Sequence, residues 1–517
     1  MQTQLINKFK YLYSIKTTIL HSPKKLFMKV KIFLVVIYIL WSQISHARIL
    51  YVGTNQTYQN LSAAMQIALP GDTIQILEST IVGGLSFQNK SGLPNKAITI
   101  KGKVGSKTII NGGGNSIQFS DCNHIILEDL ICEFQTGNGM NIDDASSINT
   151  PSKHITIRNC IFRSINATGN NDLLKLSGLD SFMIENCSFE NGSPGGSGID
   201  MVGCHYGEIH HCFFRNPGDN AIQAKGGSSH LRYYANQFFN AVNRTLNLGG
   251  STGLQFFRPQ NATSEASDIQ VFSNYFEGSL APIAFVGCRR VEVFHNTIVR
   301  PTKWAMRILQ ETVDPSRFLP CGENTFFNNI VVIESNVSIE VNIGPNTDPN
   351  SFSFDHNLWY KINSTNWSGP VLPTPDRFQI IGNPMIIANS LYKLESRSPA
   401  FKAGRSYSFP LLKDFDGKIF QNPPTIGAYE IQTNVNTPTI EDDKFYFFPN
   451  PCQEYIYINS KLYNQCEYKL IDQFGKIILH GVLQENKLNV SALPNGVYIL
   501  QCTLADKTQH SFSIFKM

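Results

Sequence analysis

One short motif recurs along the middle of the chain and constrains the fold more than any other feature. Two or three alternating apolar residues are followed by Asn and then by an apolar or aromatic pair, as in Ile155–Phe162, Phe182–Phe189 and Leu231–Phe238. The motif continues around Asn274, Asn296, Asn329 and Asn357, with His211 and Asp129 in the equivalent place. Copies lie 22 to 38 residues apart. This pattern predicts an all-β solenoid of short strands, with one coil per copy.

The asparagine of the motif and the residue after it are expected to stack along the solenoid. A side-chain amide can donate to the amide of one neighbouring coil and accept from the other, which a simple turn preference of Asn does not require. Cys160, Cys187 and Cys212 each follow the motif position directly. We therefore expect buried, mostly free thiols rather than disulfides among the eleven cysteines. The cysteine and histidine spacing does not indicate a zinc site.

The net charge of +4 comes from the N-terminal 47 residues, which hold seven Lys and no acid. The rest of the chain contains 36 of the 43 basic residues and all 39 acidic residues. This slightly negative net charge argues against nucleic acid as a partner. Two lysines precede the apolar run Ile32–Trp41, and Ser45–Ala47 offers small residues for cleavage. Residues 1–47 are predicted to be a leader that contains a signal peptide and is removed on export. Met28 is predicted to be the true start of the protein. The apolar run is shorter than the ~20 residues that span a bilayer, so the mature protein is expected to lack a transmembrane helix.

The two ends of the predicted solenoid carry motifs of a known family. The first end holds Tyr58–Ala64 and Pro70–Ile74, and the second holds Ser398–Gly404, Asp414–Gly417 and Ile426–Glu430. These segments resemble the capping helix, first strand and final coils of right-handed parallel β-helix proteins of the pectate-lyase-like superfamily. The resemblance implies a right-handed parallel β-helix over 48–430, with covered ends that keep open strand edges from pairing with other chains.

The composition changes after a polar linker at 431–443, and residues 444–517 have the pattern of a small β-sandwich. Phe448–Pro451, Asp472–Lys476 and Leu493–Tyr498 resemble the C-terminal sorting domain of the type IX secretion system of Bacteroidota. The resemblance implies the type IX secretion machinery as a partner and a secreted or outer-cell-surface location. A small carbohydrate-binding sandwich is the alternative interpretation.

Three charged residues are predicted to form one column on a face of the solenoid. Lys175, Asp200 and Lys225 each lie eleven residues before the motif residue of their coil, next to apolar residues. In a strand this alternation turns the charged residue outward, and coils stack about 4.8 Å apart. The column extends less regularly to Asn247 and Arg307. Such a row fits a linear anionic polymer, although a ladder of alternating charges could also serve only to stabilise the stack.

Further polar residues are predicted to lie on the same coils and to contact the polymer. The candidates for substrate binding are Asp200, Gln223, Arg244, Asn247, Glu265, Gln310 and Glu311. A glycine-rich segment, Asn247–Gly253, would let a ligand approach the backbone closely, but it lacks the Lys of a phosphate loop. Phe256, Phe257 and Trp304 could stack on sugar rings or belong to the core.

The resemblance implies a protein that degrades polysaccharides. The candidate residues favour a lyase that cleaves an acidic, uronate-containing polysaccharide by β-elimination. Elimination requires that the uronate carboxylate be neutralised and that a base remove the neighbouring proton. Arg258 and Arg307 are the candidates for neutralisation. Lys225 is the first candidate base and Lys175 is the second.

Two other functions stay open from the sequence. A glycoside hydrolase needs two carboxyl groups, for which Asp143–Asp144 or Asp172 with Asp200 are candidates, but the Gly-His-Gly segment of polygalacturonases does not occur. A non-catalytic, adhesin-like protein would use the column only to bind glycans. Asp172 and Asp200 are also candidate ligands of a calcium ion, the one cofactor that the sequence suggests.

Overall fold

The computed structural model describes residues 47–387, 393–406 and 412–431. In the C-terminal part it describes 446–448, 452, 454–459, 466–472, 476–483, 487–503 and 509–516. The predicted signal peptide, apart from its last residue, and the predicted linker, apart from its first, lie outside the described residues. The chain divides into two compact units with the boundary after Ile431. Within the described ranges, no helix is long and apolar enough to cross a membrane.

The first unit is a parallel β-helix whose coils contribute strands to three long sheets. Sheet A comprises Ile49–Val52, Thr73–Ile76, Ile98–Lys101, Ile125–Glu128, Ser152–Lys153, Ile155–Arg158, Leu179–Glu185, His205–His210, Ser228–Tyr234, Ala266–Phe272, Cys288–Arg289, Glu292–Phe294, Thr325–Phe327, Ser353–Asp355 and Asp376–Arg377. Sheet B comprises Thr80–Val82, Thr108–Asn111, Leu130–Glu133, Ile161–Arg163, Ser188–Glu190, Phe213–Arg215, Gln237–Phe239, Tyr275–Glu277, Thr297–Val299, Ile330–Ile333, Leu358–Lys361 and Ile380–Ile381. Sheet C comprises Leu85–Gln88, Ile117–Ser120, Met140–Asp143, Leu174–Ser177, Ser197–Val202, Asn220–Lys225, Arg244–Gly249, Ala281–Val286, Met306–Leu309 and Val341–Ile343. The predicted β-helix is confirmed.

The interior is built from columns of similar side chains, because successive coils pair in parallel register. The alternation of burial in Ile98–Lys101 repeats in Ile125–Glu128 and Ile155–Arg158, and the first isoleucines of the three strands pair with one another. Sheet B carries an aromatic column whose consecutive ring centroids lie 4.8 to 5.1 Å apart. Its members are Phe162, Phe189, Phe214, Phe238 and Phe276. Offset aromatic stacking adds to the apolar area that these columns bury.

A buried asparagine ladder runs through the corner between sheets A and B. Its members are Asn236, Asn274, Asn296, Asn329 and Asn357. Each Nδ2 donates to the Oδ1 of the next coil at 3.0 to 3.1 Å, and the last Nδ2 donates to Asp376 Oδ2 at 3.0 Å. The predicted stacking of side-chain amides is confirmed for these coils.

The earlier coils fill the same corner with different residues. Asn186 and His211 adopt the left-handed backbone conformation with φ of 53°, and the equivalent residue of the next coil is Ala235, with φ of 52°. The position that follows is held by cysteine in these coils, and Cys212 N donates to Asn236 Oδ1 at 2.9 Å, which joins the two ladders. All eleven cysteines are buried and free, as expected.

The two ends of the β-helix are covered in different ways. At the first end the helix Leu61–Ile67 begins after Asn60, whose side chain accepts from Ala63 N at 2.9 Å, and its apolar face packs on the core. At the other end, the described residues of 393–431 do not form the predicted final coils. They run along the outside of earlier coils, where Gly427 N donates to Asn328 O at 2.9 Å. Short 3₁₀ helices occur at Leu254–Phe256 and Pro349–Ser351.

The second unit contains two antiparallel sheets around one apolar core. The first sheet comprises Tyr446–Phe448, Tyr455–Asn459 and Lys487–Asn489, and the second comprises Glu467–Asp472, Ile477–Val482, Gly496–Thr503 and Gln509–Lys516. Ile456 and Leu488 of the first sheet share a buried cluster with Leu470 and Leu500 of the second. The predicted small β-sandwich is confirmed.

Candidate functional site

The outward side chains of sheet C form the predicted column, but with one correction to its register. Lys175 pairs with Asp200, as expected, whereas Asp200 pairs with Gln223 and not with Lys225. Lys225 pairs with Val202, two positions farther along the strand. The column then continues through Asn247, Ala284 and Arg307.

The register error has a definite physical origin. Counting back from Asn236 assumed that this residue occupies the corner held by Asn186 and His211, but the corner of that coil is Ala235. The turn after Lys225 also contains one residue more than the turn of the preceding coil, as the pairing of His205 with Ser229 shows. The two differences together displace Lys225 by two positions.

Despite this shift, the two lysines meet at the same buried carboxylate. Lys175 Nζ contacts Asp200 Oδ2 and lies 3.5 Å from Asp172 Oδ2, while Lys225 Nζ lies 3.4 Å from Asp200 Oδ2. Both aspartates are fully buried, while the lysine side chains keep 18% and 13% of their surface exposed. The carboxylate of Asp200 lies beneath the lysines and orders them, and its role in substrate binding stays a prediction. Because their carboxylates are buried, Asp172 and Asp200 cannot flank a glycosidic bond.

The electrostatics of the cluster separate the two lysines. Burial lowers the pKa of Lys175, but the charges of Asp200 and Asp172 outweigh burial, so the pKa is raised and the ammonium stays charged. Burial and the negative charge of Asp200 raise the pKa of Asp172 to about 6, against the opposing effect of Lys175. Lys225 has one carboxylate at 3.4 Å, and that carboxylate is already neutralised by Lys175.

The cluster opens into a cleft of about 520 Å³ on sheet C. Lys175, Lys225 and Arg258 line it together with Asp143 and Asp144. Burial and the charge of the adjacent carboxylate raise the pKa of Asp144. Cations and acids thus converge on one space, which offers groups able to bind a carboxylate and groups able to move protons.

Arg258 reaches the cleft from a loop far away in the sequence. Its Nη2 pairs with Asp180, and its Nε donates to Gly203 O at 2.9 Å. Asp180 was not among the predicted site residues, because it is separated from its partner by 78 residues and does not share its motif. This ion pair fixes the guanidinium at the edge of the cleft.

The glycine-rich segment closes over the strand that carries Gln223 and Lys225. Gly250 has φ of 152°, a backbone conformation that other residues rarely adopt, so this position favours glycine. Glu265 anchors the segment by accepting from Thr252 N and from Gly226 N, both at 2.9 Å. The side chain of Glu265 is buried and holds the loop, and its contact with substrate stays a prediction.

The remaining predicted residues form a second polar patch farther along the column. Arg244 pairs with Glu311 at 2.6 Å and donates to Asn247 Oδ1 at 3.0 Å. Arg307 donates to Asn342 Oδ1 at 2.9 Å. None of these residues is among those that line the cleft.

Gln310 has a structural role instead. It accepts from Cys321 N at 2.8 Å and donates to Thr312 O at 2.9 Å, which ties down the following loop. Asn247 is 3% exposed, so little of its side chain can reach a ligand.

The three aromatic candidates divide between surface and core. Phe256 is 61% exposed and lines the cleft. Phe257 is fully buried and packs on Phe318 with ring centroids 5.1 Å apart, so it belongs to the core. Trp304 lies under the guanidinium of Arg307, 4.5 Å from the ring centre, outside the cleft.

The surroundings of Asp172 and Asp200 do not fit a calcium cage. Calcium takes six to eight oxygen ligands in proteins. In the described part of the chain, no group of three or more His, Cys, Asp or Glu residues is placed to hold a metal ion. The ammonium of Lys175 also lies against both carboxylates. Calcium binding stays a prediction.

Comparison with known proteins agrees with the architecture. The family model "Right handed beta helix region" matches residues 147–357, and "Secretion system C-terminal sorting domain" matches 446–515. No curated protein matches the sequence significantly. Pectate lyase Pel9A is 14% identical with a TM-score of 0.49, over 76% of this chain and 98% of that chain. A rhamnogalacturonan lyase is 13% identical with a TM-score of 0.45, over 63% and 90%.

A third solved structure, an alginate lyase from Paenibacillus sp. str. FPU-7, is 15% identical with a TM-score of 0.38, over 58% of this chain and 97% of that chain. At such low similarity, any assignment of chemistry has to rest on the side chains of this protein. The sorting domain marks the chain for delivery to the cell surface or the medium. The chain is a right-handed parallel β-helix protein that ends in a secretion-system C-terminal sorting domain.

Proposed function

We propose that the protein acts outside the cell on an acidic, uronate-containing polysaccharide and cleaves it by β-elimination in the cleft of sheet C. The observation that carries the proposal is the convergence of Lys175, Lys225 and Arg258 on one cleft, over a buried carboxylate that orders both lysines. A linear polymer can lie along this face because the coils repeat about every 4.8 Å. The sorting domain supports an extracellular substrate.

Lys175 and Arg258 are suited to neutralise the uronate carboxylate. The raised pKa of Lys175 keeps its ammonium charged, and two aspartates hold it in place. Arg258 is fixed by Asp180, and its remaining N–H groups can donate to a carboxylate. Withdrawal of charge from the carboxylate makes the adjacent C–H more acidic, which elimination requires.

Lys225 is suited to remove the proton. Its Nζ lies 3.4 Å from Asp200 Oδ2 and 3.4 Å from Gln223 Oε1 at the cleft, whereas Lys175 is held by both Asp172 and Asp200. Lys225 Nζ, after releasing its own proton to solvent, takes the proton from the carbon next to the carboxylate. The electron pair of that C–H bond forms a carbon–carbon double bond, the bond to the glycosidic oxygen breaks, and that oxygen takes a proton from water.

The test uses the purified protein with a panel of pectins, alginates and glycosaminoglycans. A lyase generates unsaturated ends that absorb in the ultraviolet, and Lys225→Ala should remove this absorbance while Lys153→Ala, an exposed lysine on sheet A, should not. Unchanged activity of Lys225→Ala would refute the assignment of the base. Binding without any shortening of the polymer would instead indicate an adhesin-like protein.

One observation favours glycoside hydrolysis as the second candidate function. Asp143 and Asp144 line the same cleft, and the raised pKa of Asp144 suits a general acid. Asp143 accepts hydrogen bonds from Gln118, Asn141 and Ala145, which hold its carboxylate in place beside Asp144. New reducing ends without ultraviolet absorbance, lost in Asp144→Asn, would establish this reaction in place of elimination.

A further inference from the structure

A second concave surface lies on sheet A, away from the strands that carry the lysine cleft. One residue in each coil there adopts the left-handed conformation, with φ between 52° and 57°. These residues are His124, His154, Ser181, Tyr206, His230, Asp268, Arg290 and Glu323. A left-handed residue interrupts an extended strand and bends it. Because the bends are in register, sheet A is folded along one line.

Side chains at this line form a groove of about 750 Å³, which we call the sheet A groove. Two neighbouring columns of outward residues line it. The first column supplies Tyr206, His230, Asp268, Arg290 and Glu323, and the second supplies Glu208, Arg232, Gln270, Glu292 and Thr325. The groove is therefore continuous over several coils and is larger than the cleft of sheet C.

The groove contains an exposed aromatic platform. Tyr206 is 59% exposed, and its ring stacks on that of His230 with centroids 4.8 Å apart and planes inclined by 30°. Ser229 Oγ lies 2.9 Å from His230 Nδ1 and orients the imidazole. A flat, exposed ring pair of this kind can cover the apolar face of a sugar ring, as aromatic side chains do at binding surfaces.

Planar polar groups surround the platform. Glu208 and Arg232 form an ion pair at 3.0 Å in which both side chains remain more than one-third exposed. Arg290 donates two hydrogen bonds to Asp268, at 2.7 and 2.8 Å. Carboxylates accept from hydroxyl groups and guanidinium groups donate to them, so both halves of each pair can bind a sugar diol.

The charge of the groove argues against an acidic ligand. Four carboxylates, from Glu208, Asp268, Glu292 and Glu323, face three guanidinium groups, because Arg232 and Arg290 line the groove and Arg289 pairs with Glu323. The excess of negative charge would repel a polyuronate. It does not penalise a neutral sugar, for which the polar groups supply hydrogen bonds without requiring a counter-charge.

We propose that the sheet A groove binds a neutral oligosaccharide or polysaccharide chain, with Tyr206 and His230 as the stacking platform. This site is independent of the chemistry proposed for the cleft. It would anchor the protein to a neutral glycan of the same material while the cleft of sheet C acts on an acidic one. A simple ladder of surface ion pairs would account for Glu208 and Arg232, but it gives no reason for the exposed ring stack between them and the bend.

The test is isothermal titration calorimetry of the purified chain with cellohexaose, xylohexaose and mannohexaose, and with an oligogalacturonate of equal length. At least one neutral hexasaccharide should bind, and Tyr206→Ala should weaken that binding by roughly tenfold through loss of the stacking surface. Tyr51→Ala, an exposed tyrosine at the first coil of the same sheet, should leave the affinity unchanged.

Two results would overturn the proposal. One is the failure of all three neutral hexasaccharides to bind, and the other is equal binding by Tyr206→Ala. Lys175→Ala separates the two sites, because it should weaken binding of the oligogalacturonate and leave the neutral sugar unaffected. Failure of the proposed elimination reaction would leave this calorimetric result intact.

Discussion

The cleft of sheet C and the groove of sheet A use the same kinds of charged residue in opposite ways. In the cleft, Asp200 is fully buried, Lys175 and Lys225 cover it, and a glycine-rich loop anchored by Glu265 closes one side. In the groove, ion pairs such as Glu208 with Arg232 lie open to solvent. The stacked coils provide equal columns on both faces, so the difference comes from what covers each column.

The comparison indicates which face can support chemistry. Removing water from charged groups strengthens their interactions and perturbs their pKa values, and catalytic groups need such perturbation. The covered cleft provides it, as the raised pKa of Asp172 shows. The open groove instead offers area and hydrogen bonds, which suit binding. Four predictions sharpen this contrast or break it.

The largest expected effect is on catalysis. Replacement of Lys225 by Ala should reduce elimination by about 10²–10⁴-fold, the usual contribution of a general base. Tyr206→Ala in the groove should leave the rate on a soluble acidic polymer unchanged. Initial rates of ultraviolet absorbance measure both. A loss of rate in Tyr206→Ala would join the two surfaces into one site and break the contrast.

The second prediction concerns stability. Asp200→Ala leaves buried lysine charge uncompensated and should cost about 3–5 kcal/mol in the free energy of unfolding. Glu208→Ala removes an exposed pair and should cost about 0.2–1 kcal/mol. Urea denaturation followed by circular dichroism compares the two variants with the parent protein. Equal costs would show that the covered and open faces do not differ in the way described.

The third prediction is a difference of sign in the response to pH. Burial and Asp200 raise the pKa of Asp172 to about 6, so its contribution to stability is present below about pH 4 and is lost as the pH rises towards 6. Burial raises the pKa of Asp268, but hydrogen bonds from Arg290 and Ser267 outweigh it and the pKa is lowered. The contribution of Asp268 is therefore present at neutral pH and is lost on acidification.

Melting temperatures between pH 3 and pH 7 test this sign. Asp172→Asn should stabilise the protein at pH 7, by at most about 3 kcal/mol, with the gain vanishing near pH 4. Asp268→Asn should destabilise it at pH 7, with the loss vanishing at low pH. Responses of the same sign would contradict the assignment of one buried and one open carboxylate.

The smallest expected effect concerns Phe256, the exposed ring at the edge of the cleft. If this ring packs on the polymer, Phe256→Ala should raise KM several-fold with little change in kcat, which corresponds to about 0.5–1.5 kcal/mol. Leu254→Ala changes a neighbouring exposed apolar residue outside the cleft lining and serves as the control. An equal effect of both variants would assign the change to the loop rather than to stacking.

The sequence predicts the coils well because their cause is local. Alternation of apolar residues inside each strand and the recurrence of Asn or Cys at one corner follow from burial and from hydrogen bonding between adjacent coils. The pairing of Lys175 with Asp200 was predictable for this reason. The register of Lys225 was not, since Ala235 holds the corner of its coil and nothing in an alanine marks a left-handed position.

The contacts that cover and hold the site could not be predicted from the sequence either. Asp180 pairs with Arg258 across 78 residues, and Glu265 appears in the sequence as one more candidate for substrate contact. Its buried position depends on where the glycine-rich loop folds, which local pattern does not determine. The sheet A groove was missed because its left-handed residues are of six different types, so they share no motif.

The asparagine ladder has a consequence for how such a molecule can change in length. Each inner amide in the row meets an identical amide above and below, so a whole coil could be duplicated or deleted and the row would close again across the junction. The interior therefore places no fixed limit on the number of coils. A lineage of such proteins can lengthen or shorten its polymer-facing surface in steps of one coil while the reactive residues stay untouched.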